Sequence, residues 1–138
     1  LAWTPDLNEL WSTSDYVSVH VPLGPETTNC IGVDQLKLMK KDSFLINTSR
    51  GGTVDPDALR DALQAGEIAG AALDVTFPEP IAPNDPLVHM ENVIITPHIA
   101  SASAATLRRM GLMAADNVIN FLNGKEMPAC LNPEVINS

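Results

Sequence analysis

Hydrophobic positions along the chain fall into short runs divided by polar and proline-bearing stretches, and the runs alternate between the spacing of a strand and that of a helix. Residues 16–21, Tyr-Val-Ser-Val-His-Val, are rich in β-branched and aromatic side chains, and they stop at Pro22, which cannot donate to a sheet ladder. They predict a first strand. After a loop, Asp34 is placed to cap a short helix through Leu36, Leu38 and Met39. Phe44-Leu45-Ile46, bounded by Asn47-Thr48-Ser49, predicts a second strand. Asp55-Pro56-Asp57 combines a capping carboxylate, proline at the first helical position and a second acid for the helix dipole; Leu59 and Leu63 continue the helix and Gly66 stops it. The small apolar run from Ile68 to Val75 predicts a third strand, and Val93 to Thr96, stopped by Pro97, a fourth. Between these two, Pro78, Pro80, Pro83 and Pro86 exclude regular structure, leaving a long ordered loop of the kind that often carries function. A last helix runs from about Ser103 to Asn123, with Leu107, Met110, Ala114, Val118 and Phe121 on one stripe and Gly124 as its stop.

Short strands, apolar on both faces and alternating with helices, define an α/β chain with a parallel sheet and helices on either side. In such sheets ligands bind beyond the carboxyl ends of the strands. Four successive strand ends here carry polar or constrained residues: His20-Val21-Pro22, Thr48-Ser49-Arg50-Gly51-Gly52, Asp74 and Pro97-His98. Arg50 is either a two-pronged anchor for a carboxylate and keto oxygen or a surface arginine. Gly51 and Gly52 let backbone approach a substrate, or simply make a tight turn; both can hold together. His98 offers a titratable imidazole for proton transfer, against the alternative of a satisfied histidine at a strand end, and Glu79 is an acid confined between two prolines. Asp74 ends an apolar strand, so its carboxylate needs a donor. His20 is expected to pack at its strand end and His89 to sit on a surface loop.

Composition narrows the partners. The 138 residues, 45% of them hydrophobic, can bury a core, and 17 acids against 8 bases leave a net charge of -9, which disfavours nucleic acid and anionic membrane surfaces. No run approaches the roughly 18 apolar residues of a membrane span, and no basic leader opens the chain, so a cytoplasmic protein is expected. Cys30 and Cys130 have neither zinc nor disulfide spacing and read as incidental thiols, with no metal site expected.

Four motifs in order, Val-His-Val-Pro-Leu at 19–23, Ile-Asn-Thr-Ser-Arg-Gly-Gly at 46–52, Ala-Leu-Asp-Val at 72–75 with Pro-Glu-Pro at 78–80, and Thr-Pro-His-Ile-Ala-Ser at 96–101, together resemble the nucleotide-binding domain of the D-isomer-specific 2-hydroxyacid dehydrogenases. The wording Asp-Val-Thr-Phe-Pro-Glu-Pro is most similar to the glyoxylate and hydroxypyruvate reductases of that family. The resemblance implies a Rossmann-like fold and an NAD or NADP cofactor. It implies hydride transfer to a small 2-keto acid, giving a D-2-hydroxy acid. It assigns Arg50, Glu79 and His98 to catalysis, with Glu79 orienting the His98 ring. It assigns Val21, Pro22, Thr48, Ser49, Arg50, Asp74, His98, Ala100 and Ser101 to the cofactor, Asp74 receiving the nicotinamide carboxamide.

One departure qualifies the match. The family's Gly-x-Gly-x-x-Gly turn and the following ribose-reading residue are not found, since Gly24 and Gly32 are isolated. The chain therefore reads as the C-terminal portion of such a fold, with 1–124 a partial NAD(P)-binding domain and 125–138 a tail toward a substrate domain. By itself it is expected to be inactive and to bind NAD(H) poorly, and the residue that separates NAD from NADP lies outside it. The longer enzyme is expected to be a homodimer. Two other readings stand beside the enzyme: a dinucleotide-sensing, corepressor-like interaction protein, disfavoured by the short stretch after Gly124, and an inactive fragment.

Overall fold

Parallel pairing dominates the computed structural model, which describes residues 3–135. Strands β1 (Tyr16–Val19), β2 (Phe44–Asn47), β3 (Gly70–Leu73) and β4 (Val93–Ile95) lie side by side in chain order, every neighbour pair parallel, as the α/β reading expected. The strands are shorter than their apolar runs: β1 stops before His20, and β3 spans four of the eight residues from Ile68 to Val75, although Ile68 and Val75 are themselves buried. In contrast, β2 extends one residue further, to Asn47. The chain divides into two compact units, one ending at His98 and one beginning at Ile99.

In the first unit, helices α1 (Leu7–Thr13), α2 (Val33–Leu38) and α3 (Pro56–Gln64) pack side by side, α1 on α2 and α2 on α3. Trp11, Leu36, Met39, Ala58, Leu59, Ala62 and Leu63 meet Val17, Val19, Leu45, Ala71 and Leu73 of the sheet in a single core. These sheet positions alternate along each strand with outward ones. Tyr16, Phe44 and Ile94 stay exposed, Tyr16 and Phe44 stacked with centroids 5.6 Å apart. The expectation of helices on either side is thus corrected for this unit, where one face is covered. Successive strands step in one direction, so crossovers of common hand return on the same face.

Local chemistry explains the helix ends. The Asp55 carboxylate accepts from the backbone N–H groups of Asp57 and Ala58 at 3.0 and 3.1 Å, Pro56 opens α3, and Gly66 leaves it at φ +65°. The cap expected at Asp34 sits two residues earlier, at Gly32, whose N–H donates to the Gln35 side chain at 3.1 Å; Asp34 lies in the first turn instead. Helix α1 was not foreseen, although Asp6 followed by Leu7, Leu10 and Trp11 carries both the cap and the spacing; Asp6 accepts from Asn8 and Glu9 at 2.9 and 3.4 Å. The proline-rich loop ends in a 3₁₀ turn, Pro86–His89, because Pro86 suits the first position and Asp85 caps it. In the second unit, α4 (Ala104–Leu122) is capped by Ser103, which was expected as its first residue, is ended by Gly124 at φ +66° as expected, and buries none of its residues. Among the described residues no helix is long and apolar enough to cross a membrane.

Asp85 is also the acid partner of Arg60 on α3. The Arg60 fork donates to both its oxygens, Nε at 3.2 Å and Nη2 at 2.9 Å, and Arg60 pairs with exposed Asp57 as well. The Asp85 side chain is 8% exposed and that of Arg60 21%. The Arg60 hydrogen bond holds the Asp85 carboxyl below its ordinary value; burial opposes this, and the Leu87 N–H adds to it. A carboxyl lowered by folding contributes stability that is present above its unfolded value, about pH 4, and lost as pH falls through the folded value. Asp85→Asn is expected to cost about 1–3 kcal/mol at pH 7, with a shallower loss of stability below about pH 4. Urea melts across that range check it, and parallel losses in the two chains would contradict it.

Candidate active site

The carboxyl ends of β2, β3 and β4 carry the polar residues singled out above. Beyond β2, the chain turns around Asn47, which is 1% exposed. Its Oδ1 accepts from the Ser49 N–H and hydroxyl at 3.0 and 2.9 Å, and its Nδ2 donates to the Arg50 carbonyl at 3.0 Å and to the Thr53 hydroxyl at 3.3 Å. One buried amide thereby fixes the backbone on both sides of Arg50. The Arg50 guanidinium is exposed and donates from Nη1 to the Ser49 carbonyl at 2.7 Å. Gly51 lies directly on the backbone of Thr76, so close that a Cβ would sit 1.9 Å from the Thr76 carbonyl oxygen. The close approach that demands glycine is therefore to the chain's own backbone, at the root of the proline-rich loop.

Asp74 follows β3 and is 5% exposed. The donor it requires is the Thr96 hydroxyl, at 2.5 Å, while its N–H donates to the Asn47 carbonyl at 2.9 Å. In the loop, the Thr76 hydroxyl donates to the Pro78 carbonyl at 2.9 Å, and Glu79 reaches His98 with 2.6 Å between its Oε1 and the ring Nδ1. The His98 backbone sits at φ +55°, a left-handed conformation rare for a side-chain-bearing residue, with its N–H on the Thr96 carbonyl at 3.0 Å. With Nδ1 facing a carboxylate, Nε2 is the ring atom through which the imidazole can act on a ligand.

Two open cavities result. One of about 450 Å³ is walled by Asp74, Thr76, Glu79, Ile81, Thr96 and His98 among others. The other, about 600 Å³, is walled by His20, Val21, Pro22, Leu23, Ser49 and Arg50. Both fall within the usual range of small-molecule sites. Glu79, His98 and Asp74 are thus brought together, while Arg50 and Ser49 join Val21 and Pro22 in the second cavity. Thr48 is exposed one residue past β2 and lines neither, and Ala100 and Ser101 belong to the unit that begins at Ile99. His20 is exposed, with its Nε2 2.8 Å from the Ser18 hydroxyl, which corrects the expectation that it packs; His89 is exposed as expected. Asn47 and Thr96 were not singled out as site residues. Their signals were a lone amide closing an apolar run and a hydroxyl ahead of Pro97-His98. Among the described residues no group of three or more His, Cys, Asp or Glu is arranged to hold a metal.

A nicotinamide dinucleotide suits this donor set. Asp74 is a buried carboxylate that can accept from an amide, Ser49 and Arg50 offer donors, and Val21, Pro22 and Leu23 form an apolar wall. A parallel sheet with its polar residues gathered at the carboxyl ends defines the chain as a Rossmann-like α/β protein. Residues 2–100 match the D-isomer specific 2-hydroxyacid dehydrogenase, NAD binding domain, and the chain belongs to that family. A glyoxylate reductase of Korarchaeum cryptofilum is 52% identical over 130 residues, which is 94% of this chain and 39% of that protein. The crystal structure of the TT0316 protein from Thermus thermophilus superposes with a TM-score of 0.86 at 45% identity, over 91% of this chain and 40% of that one. An NADPH-dependent glyoxylate/hydroxypyruvate reductase of Sinorhizobium meliloti, solved with NADP and malonate, gives 0.84 at 37% identity, over 91% and 39%. The chain spans about two fifths of the length of these relatives.

Proposed function

We propose that these residues serve an NAD(P)-dependent D-2-hydroxyacid dehydrogenase that reduces a small 2-keto acid of the glyoxylate or hydroxypyruvate type. The observation that carries this is the Glu79–His98 pair, 2.6 Å apart, on the wall of the cavity that Asp74 also lines. When bound, the reduced nicotinamide supplies the hydride. Asp74 would hold the carboxamide by accepting its N–H, with Thr96 bonded to the same carboxylate at 2.5 Å. Val21 and Pro22 would line the adenine side, and Thr48 and Ser49 would contact the ribose. Arg50 turns from the Ser49 carbonyl to grip the substrate carboxylate and keto oxygen with its two-pronged head. His98, oriented by Glu79, gives its Nε2 proton to the keto oxygen as the carbonyl carbon is reduced.

The partner in this reading is a small anion and not nucleic acid, and Arg50 lies outside the Glu79–His98 cavity until substrate draws it in. Two free thiols, Cys30 and Cys130, fit a reducing, cytoplasmic compartment. A homodimer is part of the proposal: Leu107, Met110, Val118 and Phe121 of α4 are each more than half exposed, and two-fold pairing is the commonest way to cover such a surface. The test puts this chain into the Korarchaeum cryptofilum relative in place of the 130 residues it matches. The chimera is expected to oxidise NADH or NADPH in the presence of glyoxylate or hydroxypyruvate and to show a dimer mass by light scattering. A folded chimera that takes up cofactor yet reduces neither acid would refute the reaction.

A further inference from the structure

We infer that Arg60, which sits on α3 and lines neither of the two cavities, is a positioning residue for the Glu79–His98 pair. The inference rests on the reading of that pair as the acid–base machinery.

The proline-rich loop leaves β3 and must hold Glu79 within 2.6 Å of a histidine on the next strand end. Within the loop the Thr76 hydroxyl donates to the Pro78 carbonyl at 2.9 Å and His89 Nε2 lies 3.1 Å from the Pro83 carbonyl, and each end is held as well. At its start, the Thr76 backbone lies against Gly51. At its far end, Asp85 takes both prongs of the Arg60 fork, at 3.2 and 2.9 Å, and the same carboxylate accepts the Leu87 N–H at 3.0 Å, fixing the turn that sends Leu87 into the core. Between the two points the chain has little slack. Pro78, Pro80 and Pro83 fix their own φ angles, Ile81 packs against the core, and the Asp85 N–H closes a turn on the Ala82 carbonyl at 2.9 Å. The loop covers a cavity of about 20 Å³ against α3, walled by Leu59, Ile81, Asp85 and Leu87 among others. The Glu79 side chain is 41% exposed, and the group it meets is the His98 ring. Its placement therefore depends on how the loop is held, and Arg60 supplies the charged hold at the far end.

The sign of the effect separates positioning from electrostatics. Around His98 the charged groups are Glu79 and Asp74, which share its cavity; Arg60 faces Asp57 and Asp85. Removing the Arg60 cation, and leaving Asp57 and Asp85 unpaired, makes the surroundings more negative. By charge alone that raises the pH at which His98 loses its proton. If Arg60 positions Glu79, its loss lets the Glu79 carboxylate drift from Nδ1, and the midpoint falls instead.

The experiment follows the three imidazoles of the 138-residue chain by NMR across pH 4 to 9, with no cofactor or substrate. Arg60→Leu is expected to lower the His98 midpoint by about half a pH unit, in the same direction as Glu79→Gln and by less. The Arg60→Leu, Glu79→Gln pair is expected to go no lower than Glu79→Gln alone, since both act through one contact. Arg60→Lys, with the charge but without the fork, should fall between native and Arg60→Leu. His20, bonded to Ser18, stays put as the internal control. If Arg60→Leu does not fold, Arg60→Gln, which removes the same cation and the fork and so keeps the two signs opposed, carries the same expectation. A His98 midpoint that is unchanged or raised in a folded variant overturns the inference, whatever happens to thermal stability. Turnover by the chimera tests the redox reading separately, so an inactive chimera with a lowered His98 midpoint would count against that reading and not against the clamp.

Discussion

Replacing His98 with alanine in the active chimera is expected to lower turnover of 2-keto-acid reduction by roughly two to four orders of magnitude while cofactor binding persists, because the group proposed to protonate the keto oxygen is gone. Glu79→Gln is expected to fail differently. The amide keeps the shape of the side chain but removes the charge facing Nδ1 at 2.6 Å, so the imidazolium is less favoured. In the proposed reaction, reduction needs the protonated ring. The falling limb of the pH profile should therefore move to lower pH, and activity should weaken first at the alkaline end. Steady-state rates from about pH 5 to 9 decide this. A limb that does not move in Glu79→Gln, together with a dead His98→Ala, would mean that another group tunes His98.

Gly51→Ala is expected to have the next largest effect, although alanine adds one methyl. That carbon would lie 1.9 Å from the Thr76 carbonyl oxygen and 2.1 Å from the carbonyl carbon, both backbone atoms with no rotamer to change. The Arg50 turn and the root of the Glu79 loop must move apart by about an ångström or more to reach ordinary contact. Displacement on that scale costs on the order of 100-fold in rate, and overpacking costs about 1–3 kcal/mol in stability. Gly52→Ala is the matched control. There the nearest atoms are the Leu23 side-chain carbons, at 3.3 and 3.4 Å, which can rotate away. A chimera in which Gly51→Ala and Gly52→Ala keep equal turnover would show that the two loops are not coupled through this contact.

Both predictions concern groups whose identity stood in the sequence and whose coupling did not. The Ser-Arg-Gly-Gly and Pro-Glu-Pro runs were visible as unusual strand-end chemistry, and so was a histidine locked behind a proline. That Gly51 faces the backbone of Thr76, 25 residues on, depends on β2 and β3 being neighbours in register, Asn47 beside Leu73. The same registration brings the Asp74 N–H to the Asn47 carbonyl. Asn47 was legible only as the polar end of an apolar run; its role in holding the Arg50 turn needs the return of the chain to Thr53. Helix α1 escaped notice because seven residues give barely two turns of pattern, and its single buried side chain, Trp11, is defined by the core it joins.

By itself the sequence determined the alternation of strands and helices, the cap at Asp55, the glycine stops at Gly66 and Gly124, and the kinds of groups gathered at the strand ends. These are local matters: a proline, a capping carboxylate or a period of hydrophobicity acts within a turn or two of itself. Only the tertiary structure decided that the helices of the first unit share one face, that Thr96 is the donor Asp74 requires, that Arg60 reaches Asp85, and that Glu79 meets Nδ1 of His98. Each of those joins residues about 20 or more apart in the chain or on different elements, and their distances are set by sheet order and register, which no short window of sequence contains.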